Sequence, residues 1–240
     1  MKIQRRHVGG LTTLLALGAV LGPGCAENES SLFVRGVLKF DEDTCEIDAD
    51  PSSPVLLRGV LDVAFATEYS AALLVGNQMV RRGNAATLRT ETSRVVFESA
   101  DVHTFDAAGN ELGAFTAPAT GFVDPSTGAE PGFGFAHVVL VDSGSSAAAL
   151  GDSNTPVEVV ARVIVRGHTL GGEEAATGEF QWPIDICRGC LVFFPPEADD
   201  PTIAGPDCMN RTDGPTSACR IGMDGFVDCR VCPGLAVCTP

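Results

Sequence analysis

Positive charge is scarce in this sequence. Its 16 Lys and Arg stand against 31 Asp and Glu, a net charge of -15 over 240 residues. Phosphates would be repelled and no basic stripe compensates, so nucleic acid is excluded as a partner. Long apolar runs are scarcer still. Leu11 to Leu21 has about half the ~20 residues needed to cross a bilayer, and nothing after it approaches that length. Complete catalytic motifs are also missing: there is no Gly-x-Ser-x-Gly elbow, Walker loop, His-Glu-x-x-His or Asp-x-x-His. What remains is apolar and rich in turns. Hydrophobic residues make up 45%, with 27 Gly and 15 Pro, which rules out wholesale disorder and fits one sizeable domain or one domain with an appendage.

The N-terminus reads as an address. Lys2, Arg5 and Arg6 form a positive region, Leu11 to Leu21 an apolar one, and small residues then lead to Cys25. That order describes a secretory signal over residues 1–24, to be set aside from the fold. The ending Leu21-Gly22-Pro23-Gly24-Cys25 resembles a bacterial lipobox, in which the cysteine becomes the diacylated N-terminus. The usual leucine-like residue lies three before the cysteine, where this chain has Gly22. Ordinary cleavage near the same place is the alternative. The mature chain would keep 13 Lys and Arg against 31 Asp and Glu, a net charge of -18, and be held to a membrane by lipid alone. Residues 25–32 read as a polar tether. By analogy with lipoprotein sorting, Ala26 after the cysteine favours the outer membrane, with the periplasmic or surface face left open.

With Cys25 acylated, eight cysteines remain: Cys45, Cys187, Cys190, Cys208, Cys219, Cys229, Cys232 and Cys238. In an oxidising compartment an even number reads as a disulfide framework, and eight cysteines allow about 105 pairings. Five of them lie from Cys208 onward, so at least one bridge must return to Cys45, Cys187 or Cys190. Two CxxC pairs, Cys187/Cys190 and Cys229/Cys232, also suit four-thiolate zinc. The 38 residues between them exceed the common spacing of about 15–20, and disulfides are the preferred reading.

Val157 to Cys187 carries the clearest structural pattern. Val157, Val159, Ala161, Val163 and Val165 alternate with Glu158, Arg162 and Arg166, giving one dry and one wet face. Gly171-Gly172 supplies a turn, after which Phe180, Trp182, Ile184 and Ile186 alternate with Glu179, Gln181 and Asp185. Pro183 places the second strand of this hairpin at an edge or bulge. Weaker strands are predicted over residues 32–40, 55–65, 71–80, 86–90, 94–105, 111–116 and 136–142, with turns at Asp106–Asn110 and Asp124–Gly128. No helical period is sustained over three turns. The predicted fold is all-β: an antiparallel sandwich, immunoglobulin-like in general architecture, over residues 33–194. Pro195-Pro196 marks a hinge into a small disulfide-rich tail, residues 195–240.

Candidate chemistry is sparse. Asp41, Glu42, Asp43, Glu46, Asp48 and Asp50 crowd one loop, and such hard oxygen ligands suit Ca²⁺, although the EF-hand spacing is absent. A solvated acidic loop is the plainer reading. His103, His137 and His168 fall on or near predicted strands, where two of them could meet as metal ligands. Ordinary surface histidines are the plainer reading there. Ser153, in Gly151-Asp152-Ser153-Asn154, sits in a block similar to that of GDS-type esterases but lacks the partner motif.

Tyr69 with Leu74-Val75-Gly76-Asn77-Gln78, and the run Phe180-Gln-Trp-Pro-Ile-Asp-Ile-Cys187-Arg-Gly-Cys190-Leu-Val192, resemble cysteine-rich lipoproteins of myxobacterial type, a group without an assigned activity. The resemblance implies surface lipoprotein status and no catalytic residues. The expected function is that of a lipid-anchored, non-catalytic structural or interaction module at the cell envelope, contacting an envelope protein or a glycan. A calcium-dependent or glycan-binding adhesion domain is the alternative, and an envelope hydrolase acting through Ser153 comes third.

Overall fold

The structure, a computed structural model, describes residues 31–153, 155–204, 206–210 and 218–240. The expected signal segment, Cys25 and most of the tether lie outside the described residues.

Twelve strands and one α-helix follow in chain order: β1 (Leu32–Leu38), β2 (Val55–Leu56), β3 (Gly59–Asp62), β4 (Tyr69–Asn77), β5 (Val95–Asp106), β6 (Glu111–Val123), β7 (Gly132–Val141), α1 (Ser143–Leu150), β8 (Val157–Thr169), β9 (Glu174–Ala176), β10 (Phe180–Cys187), β11 (Val192–Phe193) and β12 (Val227–Asp228). Ten of these strands form one sheet, in the order β2-β1-β4-β7-β6-β5-β8-β10-β3, with β9 beside β8. The expected hairpin is present: β8 pairs antiparallel with β9 and β10, and Trp182, Ile184 and Ile186 face the core. Pro183 lies one residue before the stretch of β10 that pairs with β3, where its missing N–H removes nothing from that ladder.

All-β therefore holds, but the sandwich does not: the sheet curls until its edges nearly meet. At one end Leu32 bridges Thr177. Towards the other, β2 pairs with β1 while β3 pairs parallel with β10, and the chain reverses between them at Leu57-Arg58. Alternation shows that each strand has one dry face. Whether those faces meet across two sheets or around one axis depends on curvature, which alternation does not encode. Here curvature comes from bulges in β1, β5, β6 and β7 and from bare backbone at close approaches. Gly121 (φ +132°) and Gly167 sit where a Cβ would collide with the carbonyls of Phe135 and Val96. Small side chains fill the narrow interior: Ala71, Ala100, Ala117, Ala119, Ala136 and Ala161 interleave with Leu73, Val102, Val138 and Ile184.

One further expectation is corrected. Residues 86–90 form no strand. The Asn84 carboxamide accepts from the amides of Ala86 (2.9 Å) and Thr87 (3.3 Å), and a short 3-10 turn results. Residues 143–150 are helical, capped by Asp142 accepting from Ser145 N at 2.9 Å. This helix buries Ser145, Ser146 and Leu150 at one end of the barrel. It is too short for a readable amphipathic period.

The loop after β1 folds back over the outside of the sheet. Its Ile47 and Ala49 pack on Leu38, Ala72, Leu74, Phe133 and Phe135, so β4 is buried on both faces. The two barrel ends are distinct. Ser31, Asn77, Gly132, Val95 and Thr169 mark the entry end, while Leu38, Tyr69, Val141, Val157 and Cys187 mark the end that carries α1 and the tail.

Candidate functional site

Part of the tail is built into the barrel seam. Residues 220–224 run along β3: Leu61 bridges Met223, Asp62 N donates to Gly222 O (2.9 Å) and Asp224 N to Val60 O (3.0 Å). Asp224, at φ +61°, aims its carboxylate inward, where it accepts from Val60 N at 2.9 Å and from the Tyr69 hydroxyl at 3.1 and 3.2 Å. Arg220 lies 3.6 Å from the same carboxylate, donates to Ser70 O, and stacks over Phe40 and Tyr69. Gly59 makes room, since a Cβ there would strike the Tyr69 phenol and approach Trp182 Nε1. Burial pushes the Asp224 carboxyl above the usual range, against the pull of Val60 N–H and Arg220. Burial, and then the Asp224 charge, pushes the Tyr69 phenol far up. Burial also lowers Arg220. This cluster holds the seam shut and offers no nucleophile to solvent.

All eight cysteines from Cys45 onward are oxidised in pairs: Cys45–Cys219, Cys187–Cys190, Cys208–Cys229 and Cys232–Cys238. The first is the bridge that parity demanded between tail and body. The second CxxC is split between two bridges, so the four-thiolate zinc arrangement is not formed. Among the described residues, two clusters have metal-type composition: Asp62 with Cys187 and Cys190, and Asp228 with Cys208 and Cys229. In both the sulfurs are bonded to one another and the carboxylate is occupied. Asp62 accepts from Gly189 N (2.7 Å), Leu191 N (3.0 Å) and Ala64 N (3.0 Å), and so anchors the Cys187–Cys190 loop. Asp228 forms a two-pronged pair with Arg230, at 2.6 and 2.9 Å.

The acidic loop does not converge. Asp41 accepts from Asp43 N, Thr44 N and the Thr44 hydroxyl, which holds its carboxyl below the usual range, and Ser52 does the same for Asp50. Asp48 accepts from Ser53 at 3.3 Å, Glu42 pairs with Lys39, and Asp43 and Glu46 are exposed. No three of these carboxylates bring ligand atoms within 4.8 Å of one another. The histidines are dispersed: His103 pairs with Glu111 (2.7 Å), His168 with Glu98 (2.9 Å), and His137 lies half-buried on β7, lowered by burial and by Arg220. Ser153 hydrogen-bonds within its own turn, to Thr155.

An open groove of about 460 Å³ crosses the outer face of β6, β5 and β8. Asp101, His103, Thr116, Arg162, Arg166 and Glu179 line it. Arg166 Nε donates to Asp101 at 2.6 Å, Thr116 to the other oxygen of Asp101 at 3.3 Å, and the Arg162 guanidinium lies over the Phe105 ring at 4.5 Å. Sequence reading placed Arg162 and Arg166 on a wet face. It did not place β5 and β6 beside them, because strand order is not written in alternation.

No protein-family model matches the chain, and a search of curated proteins finds no match. Fold and sites together define, among the described residues, an all-β chain with a nearly closed sheet, four bridges, a seam sealed by its own tail and an open polar groove. Among the described residues no helix is long and apolar enough to cross a membrane.

Proposed function

We propose that this chain is a lipid-anchored cell-envelope protein acting as a non-catalytic structural or interaction module, on the outer membrane of a Gram-negative cell. The observation that carries the reading is the closed sulfur inventory. Eight cysteines satisfy one another in four bridges, as an oxidising compartment allows, and leave Cys25, at the end of a secretory pattern, as the one cysteine of the nine outside those pairs. The bridged frame also suits a rigid scaffold. Intact-mass measurement of protein extracted from membranes tests this directly. A mature chain starting at acylated Cys25 is expected, released into the soluble fraction by Cys25→Ser; an unmodified N-terminus defeats the reading.

A second reading, a glycan-binding module, is favoured by the groove over β5, β6 and β8. Its carboxylate, guanidinium and hydroxyl groups face outward as paired donors and acceptors. Glycan-array binding lost in Asp101→Ala with Arg166→Ala would support it. An array unchanged by that double variant would remove it.

A further inference from the structure

We infer that the loop of residues 78–94 is a membrane-contacting surface, seated on anionic lipid headgroups beside the acyl anchor. The inference rests on the lipoprotein reading above. Ser31, where the described chain begins, accepts from Gln78 N at 2.8 Å, so tether and loop leave the barrel at the same point of the entry end. Six peptide steps separate Cys25 from Ser31, and at ~3.3–3.6 Å per residue they reach at most about 22 Å. An acylated Cys25 therefore keeps this end of the barrel close to the bilayer, with the bridged tail at the far end.

The loop is built unlike the rest of the protein. In a chain of net charge -15, residues 78–94 hold Arg81, Arg82, Arg89 and Arg94 against one acid, Glu91. Glu91 is consumed by the backbone, accepting from Arg82 N, Gly83 N and Ser93 N, with Arg81 at 3.8 Å. Arg94 is paired with Asp124. The side chains of Arg82 and Arg89 are exposed with no ion pair among the described residues. Glu130, Glu173 and Glu174 (the last at the start of β9) lie near the same end, so the excess of arginine over acid is confined to residues 78–94.

Two apolar side chains project among these arginines. Leu88 is 92% exposed and Val80 76%. Leu88 also sits at φ +53°, a backbone region that a leucine enters only at a cost, and it gains no packing in return. The reciprocal Asn84–Arg89 backbone pair (2.9 Å each way) and the Asn84 side chain hold it there. A hydrogen-bonded tip offering leucine and valine between guanidiniums without an ion pair matches an interface where apolar groups enter the acyl boundary and arginines meet phosphates. A soluble protein partner would not need the tip to stand next to the anchor.

Tryptophan quenching by brominated lipid tests the proposal. Trp182, the only native tryptophan, is buried and gives a constant background. Full-chain acylated protein carrying Leu88→Trp is reconstituted in phosphatidylglycerol-containing vesicles, alongside Phe226→Trp, a conservative change at the far end. Quenching and a blue shift are expected at position 88 and not at 226, with loss of the position-88 signal in Arg82→Glu/Arg89→Glu or in purely zwitterionic vesicles. Equal quenching at both positions, or none at 88 in protein whose acylation is confirmed by mass, overturns the proposal. If mass shows no acyl chain, the anchor reading falls instead. The loop is then decided by the same quenching with the soluble chain on added vesicles, where no signal at 88 overturns it.

Discussion

Tyr69 donates its phenol to both carboxylate oxygens of Asp224, at 3.2 and 3.1 Å, across 155 residues of sequence. This contact joins the first residue of β4 to the tail and makes the tail a working part of the barrel. Removing the acid alone in Asp224→Ala leaves Arg220 with its charge largely buried and the Tyr69 hydroxyl without an acceptor. A loss of about 3 kcal/mol is expected, the cost of stranding a buried charge. Tyr69→Phe should cost about 1–2 kcal/mol, since Arg220 and Val60 N still serve the carboxylate. Urea unfolding with disulfides intact measures both; equal losses would show that Arg220 contributes nothing.

The same carboxylate sets a pH signature. Because burial raises Asp224 above its ordinary value of 3.8, the folded state holds this proton more tightly than the unfolded chain does. Its contribution to stability is present below that ordinary value and is lost as pH rises through the raised one. Asp224→Asn cannot lose it. The variant should therefore look most destabilised relative to wild type in acid, and the gap should narrow towards neutrality. Melting temperatures of the two proteins from pH 3 to pH 7 provide the check. A gap that widens with pH would reverse the assigned sign.

Little of this latch was legible beforehand. Tyr69 lies two residues before the strand predicted over 71–80, Asp224 lies among Gly and Cys in a segment without any period, and the role of Asp224 depends on a left-handed backbone at φ +61°. The β8–β10 hairpin was legible because valine and arginine alternate without interruption. The barrel was not, because closure depends on the two short strands Val55–Leu56 and Gly59–Asp62 and on bulges that leave no compositional trace. Parity of the cysteines foresaw a bridge from tail to body but not which one. The groove was half legible: Arg162 and Arg166 stood on the wet face, while Asp101 and Thr116 came to them only through sheet order.

Cys45–Cys219 closes a sequence separation of 174, whereas Cys187–Cys190 closes a separation of three. On the chain-entropy relation the long closure restrains the unfolded state by about 5 kcal/mol and the short one by about 2. Cys45→Ala/Cys219→Ala should therefore lower stability by several kcal/mol, and it should free the acidic loop and residues 219–224 together. Hydrogen exchange would show Asp62 and Asp224 amides losing protection in step. Protection retained at both would mean that the seam holds without its bridge.

Asp62 is fully buried, and its carboxylate serves three backbone amides, two of them flanking Cys190. Asp62→Ala leaves Gly189 N, Leu191 N and Ala64 N without this acceptor, at about 1–3 kcal/mol for each amide that water cannot reach. Asp62→Asn keeps one acceptor oxygen and should recover part of that loss. The informative readout is local: amide exchange at Gly189 and Leu191 should accelerate in both variants, more in alanine than in asparagine. Unchanged exchange at those two amides would show that the Cys187–Cys190 bridge orders its own loop, and that the buried acid is held by the fold without supporting it.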